Sequence, residues 1–233
     1  MQIFYAPDIS NNIHTLTEEE SKHCIRVLRL DIGDEITLVD GKGGLYKTRI
    51  IKPEPKRCQV EVFESIYEYE KRNHYLHIAI APTKNIERFE WFLEKTTEIG
   101  IDEVTPLLCE HSERKVINND RLEKIIVSAM KQSIKAYLPK LNQLTPFKSF
   151  IQTKQQGDTY IAHCNKNDLK HLKNYVSTNT HSTILIGPEG DFSPDEVNVA
   201  LENSYKEISL GNSRLRTETA GVVACHIVNL ANE

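Results

Sequence analysis

Residues 183–197 read TILIGPEGDFSPDEV, and this stretch decides the class of fold that the sequence predicts. An apolar strand ends at Gly187, Pro188 restricts φ and lacks a backbone donor, and Gly190 permits a positive φ. Residues 193–196, SPDE, then supply an N-cap, a proline in the first turn and the reciprocal glutamate of a capping box. The stretch therefore predicts a strand, a shaped loop and a helix, which is one unit of an α/β protein.

Residues 208–221, ISLGNSRLRTETAG, repeat this plan with a strand, Gly211, an irregular loop and a helix that Thr217 can cap. The small pair Ala220 and Gly221 permits close approach of a backbone or a ligand. Open α/β sheets bind ligands at the carboxyl ends of their strands, so the two loops together predict one binding pocket. Each loop alone is equally well explained as a plain strand-to-helix turn. Neither matches G-x-G-x-x-G or G-x-x-x-x-G-K-[ST], which disfavours the common nucleotide cradles.

From residue 74 onward, strands alternate with helices, and this predicts a parallel sheet covered on both faces. Three of the predicted helices span residues 85–100, closed by Gly100, residues 120–138, ending before Pro139, and residues 168–176. The alternation predicts one domain over residues 74–233.

Residues 1–70 have a different character, with short β-like runs separated by turn signals around one predicted helix at residues 18–30. Thr17 and Glu20 have the spacing of a capping box at the start of that helix. The pattern predicts a small antiparallel barrel. A polar stretch without apolar periodicity, residues 67–74, marks the predicted boundary between the two domains.

Composition excludes several classes of protein. The 233 residues carry a net charge of −4, so any nucleic-acid binding must use a local basic patch. No segment approaches the roughly 20 apolar residues of a membrane span, and the opening MQIFYAPDIS lacks the order of a secretory signal. We therefore expect a cytoplasmic protein. The five cysteines are odd in number, widely separated and without a C-x-x-C, which favours neither a disulfide framework nor a zinc site, so no metal is predicted.

A local basic patch is present near the N-terminus. Lys22, Arg26 and Arg29 fall on one stripe of the predicted helix 18–30. The window 21–57 contains nine Lys or Arg and five Asp or Glu, a net charge of +4 in an acidic chain. Such a patch suits phosphate contact, although a solvated helix face gives the same pattern.

Five motifs of this chain together resemble a known family: IGPEGDFSPDE, LGNSRLRTETA, EKTTEIG, VTPLLCEHSERK and HCIRVLRLDIGDE. Taken together, and in their order along the chain, they are similar to the ribosomal RNA uridine N3-methyltransferases of the RsmE family, within the SPOUT superfamily. The resemblance covers nearly the whole chain, and the two C-terminal motifs are its most specific part.

This resemblance implies an α/β protein with an N-terminal PUA-like RNA-binding β-barrel over residues 1–70 and a C-terminal SPOUT methyltransferase domain over residues 74–233 that contains a deep trefoil knot. It further implies S-adenosyl-L-methionine as the cofactor, 16S rRNA of the small ribosomal subunit as the partner, and a homodimer. The implied cofactor-binding residues are Ile186, Gly187, Glu189, Gly190, Leu210, Gly211, Leu215, Thr219 and Ala220.

The implied reaction also suggests catalytic residues. Uracil N3 carries a proton at neutral pH, so that proton must leave and the resulting charge must be stabilised. Arg216 is the candidate for contacting the base or its phosphate, and Glu218 or Glu189 for assisting proton removal. Alternatively, Arg216 pairs with Glu218, which also suits the first turn of a helix. Arg114, in SERK, is a candidate to face the cleft and to contact RNA, and a plain surface charge is the alternative.

The chain departs from the family pattern at three places. Asp191 stands where a further glycine is usual, Ser213-Arg214 replace arginine-isoleucine, and Ile134-Lys135 replace a small residue and an arginine. These departures leave open a non-catalytic RNA-binding assembly factor. A knotted methyltransferase acting on transfer RNA is the third reading.

Overall fold

The computed structural model of the protein describes residues 3–164 and 168–233. The chain divides into two compact units, one containing residues 1–71 and 127–138 and the other containing residues 72–126 and 139–233. Each unit has its own sheet. Among the described residues, no helix combines the length and the apolar character needed to cross a bilayer.

A five-stranded mixed sheet forms the first unit. Its strands are β1 (Ile3–Tyr5), β2 (Ile13–Thr15), β3 (Glu35–Val39), β4 (Leu45–Lys52) and β5 (Gln59–Ile66). They lie in the order β1-β3-β4-β5-β2. The predicted antiparallel pairing holds from β3 through β5 to β2, whereas β1 lies parallel to β3. The inward side chains pack in a cluster that includes Phe4, Leu38 and Ile50.

The predicted helix 18–30 is shorter than expected. Helix α1 spans Glu18–Lys22, and a π-helical turn, His23–Val27, follows it. Leu28 donates its backbone N–H to the His23 carbonyl at 3.0 Å. This bond joins residues five apart, as in a π-helix, whereas the bonds of an α-helix join residues four apart. Arg29 then takes a left-handed φ of 57°, which ends the helical run. Cys24, in this π-helical turn, is fully buried in the core of the unit.

Only half of the predicted capping box at α1 forms. The Thr17 hydroxyl accepts from the Glu20 N–H, as predicted. The Glu20 carboxylate instead accepts from the Tyr5 N–H at 3.2 Å and pairs with Lys131 at 2.7 Å. Glu20 therefore joins α1 to two other segments of the first unit.

A seven-stranded parallel sheet forms the second unit. Its strands are β6 (Tyr75–Ile80), β7 (Glu103–Leu108), β8 (Lys140–Leu141), β9 (Thr145–Pro146), β10 (Asp158–Ala162), β11 (His181–Ile186) and β12 (Lys206–Ile208). The order is β12-β10-β11-β6-β7-β8, with β9 also pairing with β7. Every pairing is parallel, which confirms the predicted sheet.

Helices cover both faces of this sheet. They are α2 (Ile86–Ile99), α4 (Phe147–Ile151), α5 (Pro194–Glu202) and α6 (Thr217–Leu230). Helix α3 (Asn119–Gln132) begins in the second unit and ends in the first. On one face Gly221 of α6 lies close to Phe92 of α2 and Ile80 of β6. On the other, Phe150 of α4 packs in a cluster with Ala79, the neighbour of Ile80 along β6. Successive residues of a strand point to opposite faces, so the two packings lie on opposite sides of the sheet.

Two of the predicted helices have other bounds in the structure. The predicted helix 120–138 ends at Gln132, because Ile134 takes a φ of 60° and Ala136 and Leu138 exchange backbone hydrogen bonds with the Gly41–Gly43 turn. These hydrogen bonds replace those that a longer helix would have made.

The predicted helix 168–176 contains only a single 3-10 turn, Leu172–Asn174. Leu172 donates to the Ser209 carbonyl at 2.9 Å, and Ser209 donates to the Lys170 carbonyl at 3.1 Å. The backbone before the turn is therefore paired with the segment that follows β12. Helix formation would break this pairing.

Candidate active site

A cavity of about 310 Å³ lies at the carboxyl ends of β10, β11 and β12. Three segments line it, one following each of these strands, together with the first residues of α6. Its volume is within the range of about 300–1,000 Å³ found for small-ligand sites. The position agrees with the predicted pocket, because carboxyl ends of parallel strands meet at one edge of a sheet.

The loop after β11 forms one wall. Ile186, Gly187 and Glu189 line the cavity. A turn follows, closed by the Asp191 N–H donating to the Pro188 carbonyl at 2.9 Å. The positive φ predicted for Gly190 is instead at Asp191, at 63°, because the turn reverses the chain one residue later.

The loop after β12 forms the second wall. Leu210, Gly211 and Leu215 line the cavity. Gly211 has a φ of 123°, and a side chain there would meet nothing within 4 Å, so the glycine serves the backbone conformation and leaves open space. Its N–H donates to the Ser209 hydroxyl at 3.1 Å. The predicted loop is thus a shaped wall of the cavity.

The prediction that Thr217 caps α6 is wrong, because Thr217 is the first residue of the helix. Arg216 is the N-cap residue and makes no side-chain capping bond. The Thr217 hydroxyl instead donates to the Gly187 carbonyl at 3.1 Å in a buried position. This hydrogen bond holds the β11 loop and the start of α6 together.

The end of β10 forms a third wall that was not predicted. Ala162, His163 and Cys164 line the cavity. The His163 ring lies with Nε2 3.0 Å from Glu207 Oε1 of β12, and its side chain is fully buried. The pair connects neighbouring strands beside the cavity. Sequence reasoning missed it because β10 comes before β11 in the chain yet lies between β11 and β12 in the sheet.

Most of the predicted cofactor residues fall in this one place. Seven of the nine line the cavity, namely Ile186, Gly187, Glu189, Leu210, Gly211, Leu215 and Ala220. The other two do not: Gly190 packs against the His111 side chain, and Thr219 is half-buried on α6. Cofactor contact by any of them stays a prediction.

The predicted catalytic residues separate into two groups. Arg216 and Glu189 line the cavity, and Glu189 Oε1 accepts from the Lys84 N–H at 2.9 Å. Glu218 lies outside the lining. Its side chain is 8% exposed, with Oε1 3.9 Å from the Arg88 Nε. Glu218 therefore pairs loosely with Arg88, and the predicted alternative pairing with Arg216 is absent from the ion pairs of the described residues.

A basic groove, defined by Lys84, Glu113, Arg114, Lys115 and Val116, lies on the second unit and has a volume of about 340 Å³. Arg114 donates to the carbonyls of Thr83 and Lys84, at 3.0 and 2.6 Å. Lys84 pairs with Glu113 at 2.7 Å. The Lys84 N–H donates to Glu189, so one hydrogen bond joins a residue of the groove to a residue of the cavity lining.

The predicted RNA-binding residues of the first unit are all exposed. They are Lys22, Arg26 and Arg29. Lys22 pairs with Glu18 at 2.6 Å, and both side chains are about half exposed. Because of the π-helical turn and the left-handed Arg29, the three cations do not form one α-helical stripe. Their contact with RNA stays a prediction.

The residues that line the cavity suit a methyl donor with an adenine ring, an amino acid group and a sulfonium. Ile186, Leu210 and Leu215 offer aliphatic surface, while Glu189 and Arg216 offer charges of both signs. Gly187 and Gly211 bring backbone groups to the wall without side-chain bulk. Among the described residues, no group of three His, Cys, Asp or Glu side chains is placed to hold a metal.

Two sequence profiles match the chain. The profile of the RNA methyltransferase domain matches residues 70–229, and that of the RNA methyltransferase PUA domain matches residues 16–63. With the parallel sheet and its cavity, they define the class of the protein as an RNA methyltransferase with a PUA-like N-terminal part.

Similar proteins identify the group within this class. A "probable rRNA-methyltransferase" of Porphyromonas gingivalis is 42% identical, with a TM-score of 0.92 over 100% of this chain and 98% of that one. A Legionella pneumophila protein described as a methyltransferase, solved with the bound cofactor SAM, is 26% identical, with a TM-score of 0.89 over 99% and 97%. The ribosomal RNA small subunit methyltransferase E of Buchnera aphidicola is 28% identical over 96% of this chain and 90% of its own length. The chain belongs to the RNA methyltransferase family, in the group that carries this last name.

Proposed function

We propose that the protein transfers a methyl group from S-adenosyl-L-methionine to N3 of a uridine in 16S rRNA of the small ribosomal subunit. One observation carries the proposal: three strand ends of a chain in this family meet in a single cavity, whose lining includes seven of the predicted cofactor residues. The bound cofactor of the Legionella relative supports the choice of methyl donor. The name of the Buchnera relative supports the choice of RNA.

The proposed cofactor supplies an activated methyl group, and the residues of the cavity orient it and exclude water. Such a transfer needs in-line positioning of the accepting atom, and most of the rate enhancement comes from that positioning. Thr217 holds the β11 loop against α6, and Gly211 leaves room beside them. These residues therefore shape the part of the cavity in which we propose that the donor binds.

Removal of the N3 proton is the second requirement. Glu189 is the better placed of the two candidate carboxylates, because it lines the cavity and is held at Oε1 by the Lys84 N–H. Glu218 is buried beside Arg88 and lies outside the lining. Arg216, exposed at the rim, is placed to stabilise the negative charge that the base acquires. We assign proton removal to Glu189 and charge stabilisation to Arg216.

RNA contact is proposed for both units. Residues 1–70 serve as the PUA-like RNA-binding domain, with Lys22, Arg26 and Arg29 on phosphates, and residues 74–233 serve as the methyltransferase domain. Arg114 in the basic groove is a further contact. Affinity for RNA depends on such cations and falls as salt rises.

Three structural proposals remain: the sheet of the first unit closes into a barrel, the second unit contains a deep trefoil knot, and the protein is a homodimer. The knot is supported by the chain path, because β12 lies at the sheet edge while the following α6 packs on β6 and β11. The homodimer is the expectation of the family resemblance, and Trp91 of α2, a large apolar side chain that is 42% exposed, is our candidate for its interface. A cytoplasmic location follows from the proposed substrate. Sedimentation equilibrium of the protein and of Trp91→Glu tests the dimer: a parent monomer contradicts it.

The central experiment has three parts. Calorimetry measures binding of S-adenosyl-L-methionine, and mass mapping locates methylated nucleotides on small-subunit RNA treated with the protein. Arg216→Ala is expected to reduce turnover about 100-fold, as loss of one charge-stabilising group does. Lys206→Ala is the matched control, since Lys206 pairs with Asp158 at the amino ends of β12 and β10.

The outcomes separate the candidate functions. Absence of donor binding favours an assembly factor without turnover. Methylation of transfer RNA instead of 16S rRNA supports the third reading. Methyl-uridine at a position other than N3, or unchanged turnover in Arg216→Ala, contradicts the proposed chemistry.

A further inference from the structure

Asp191 has an unusual backbone conformation for a residue with a side chain. Its φ of 63° is one that glycine adopts without strain, although aspartate tolerates it better than most residues. Its carboxylate accepts two hydrogen bonds from described residues. Oδ2 accepts from the Cys164 N–H and Oδ1 from the Phe192 N–H, both at 2.8 Å. The side chain therefore makes contacts that a glycine in the same turn could not make.

The bond to Cys164 connects two walls of the cavity. Cys164 follows β10 and Asp191 follows β11, two adjacent parallel strands whose last paired residues are Ala162 and Ile186. Both Cys164 and Asp191 line the cavity. Beyond the last strand pair, the ladder no longer holds these segments together, and the carboxylate replaces it.

A third segment fixes the same turn from outside the cavity. The His111 ring nitrogen Nδ1 lies 3.1 Å from the Gly190 carbonyl and 3.0 Å from the Asp191 carbonyl. The turn is thus held on its backbone side by His111 and on its side-chain side by Cys164. A loop held in this way has a defined position even without a ligand.

We propose that Asp191 is a positioning residue for the methyl donor: its carboxylate holds the Cys164 backbone against the turn at residues 188–191 and so sets the width of the donor cavity. This inference rests on the proposed function. Asp191 acts through the wall that it fixes and takes no part in the transfer itself. The charge on the acceptor makes the bond stronger than one between neutral groups.

Two substitutions separate the carboxylate from the turn. Asp191→Gly keeps the backbone conformation and removes both hydrogen bonds. Asp191→Asn keeps an acceptor oxygen but removes the charge. Asp195→Asn, at an exposed position in the first turn of α5, is the matched control. Thermal unfolding of each variant confirms that it is folded before binding is measured.

Cys164 gives a readout that is independent of turnover. It is exposed, whereas the other four cysteines are buried, so Ellman's reagent reports on it selectively in the folded protein. In Asp191→Gly, we expect Cys164 to react faster and S-adenosyl-L-methionine to bind about tenfold more weakly by calorimetry, the loss typical of one charge-assisted hydrogen bond. Asp191→Asn should be intermediate in both measurements, and Asp195→Asn should match the parent.

The outcomes distinguish this inference from the function on which it rests. If the parent binds the donor and Asp191→Gly binds it equally well, donor positioning by Asp191 is wrong, whatever the thiol rate. An unchanged thiol rate with weaker binding also overturns it, since the wall would not have moved. A parent that binds no S-adenosyl-L-methionine overturns the proposed function and the positioning role together.

Discussion

Thr217 connects two walls of the cavity through one hydroxyl. It donates to the Gly187 carbonyl at 3.1 Å, and both residues are buried. We expect Thr217→Val, which keeps the shape but removes the donor, to lower the free energy of unfolding by about 1–2 kcal/mol, because a buried carbonyl loses its partner. Urea denaturation measures this. Thr219→Val, two residues later on α6, is the control, and an equal loss there would contradict a specific role for the bond.

The surroundings of Glu103 predict how the stability of the protein depends on pH. Burial alone raises the pKa of its carboxyl, but hydrogen bonds from Lys140, Asn142 and Tyr75 outweigh burial and lower the pKa from 4.5 to about 2. A carboxyl with a lowered folded-state pKa stabilises the fold above pH 4.5 and loses that contribution as the pH falls toward 2. We expect Glu103→Gln to show a shallower loss of stability over this range.

Urea denaturation at a series of pH values checks this, with Glu202→Gln as the control because Glu202 is exposed at the end of α5. If the parent and Glu103→Gln lose stability in parallel between pH 4.5 and 2, Glu103 does not contribute as described.

The individual cavity residues were predictable to different degrees. Gly187, Leu210 and Gly211 stand at the ends of recognisable strands, so local sequence sufficed to place them at one sheet edge. His163 and Cys164 were missed because strand order is set by long-range packing, which no local pattern encodes. Asp191 was noted only as a departure from a family pattern, and its bond to Cys164 depends on that same strand order.

Among the helices, α3 is followed directly by a residue with a strained backbone conformation. Ile134, a β-branched residue, takes a φ of 60° and is 37% exposed. The left-handed conformation costs such a residue about 1–2 kcal/mol, while glycine adds about 0.4–1 kcal/mol of entropy to the unfolded chain. Removal of the side chain also loses its buried apolar surface, so we expect Ile134→Gly to leave the free energy of unfolding within about 1 kcal/mol of the parent in thermal or urea unfolding. Ile134→Ala, which loses nearly the same burial but keeps the left-handed strain, should be about 1 kcal/mol less stable than Ile134→Gly, and equal stabilities of the two variants would refute this explanation.

Helix beginnings were predicted better than helix ends. Asn85 caps α2 and Ser193 forms the full capping box of α5, since these signals lie within four residues of sequence. The ends of the predicted helices 18–30, 120–138 and 168–176 were wrong. In each case the backbone bonded to a partner outside the α-helical ladder, and for the last two that partner is distant in sequence.

At the scale of the molecule, the first unit is not one continuous stretch of chain. Met130 and Ala136 pack with Val39 and Leu45 in one buried cluster. A fragment of residues 1–71 lacks these two side chains, and loss of a buried methionine alone typically costs about 2–5 kcal/mol. We expect the fragment to be markedly less stable than the same fragment with residues 127–138 attached through a glycine-serine linker. Urea denaturation and binding of a hydrophobic dye compare the two, and equal stability would show that the added segment contributes nothing.

The overall class of fold was predictable, because local patterns along the sequence indicate the alternation of strands and helices. The predictions of a knot and of a dimer, which stay proposals, came only from the resemblance to a family. A threaded path has no periodic signature, and general experience with folds argues against it. Domain boundaries are also hard to predict from sequence. The segment 127–138 begins about 55 residues after the first part of its unit ends at Lys71, and no shift in composition marks it as part of that unit.

The interrupted first unit also affects the order of events during synthesis. The last strand of its sheet, β5, ends at Ile66, but the segment that completes the core ends at Leu138. At roughly 5–20 residues per second, a nascent chain waits about 4–15 s between these points. During that delay Val39 and Leu45 lack their cover, so chaperones that bind apolar segments have a window in which to act on the growing chain.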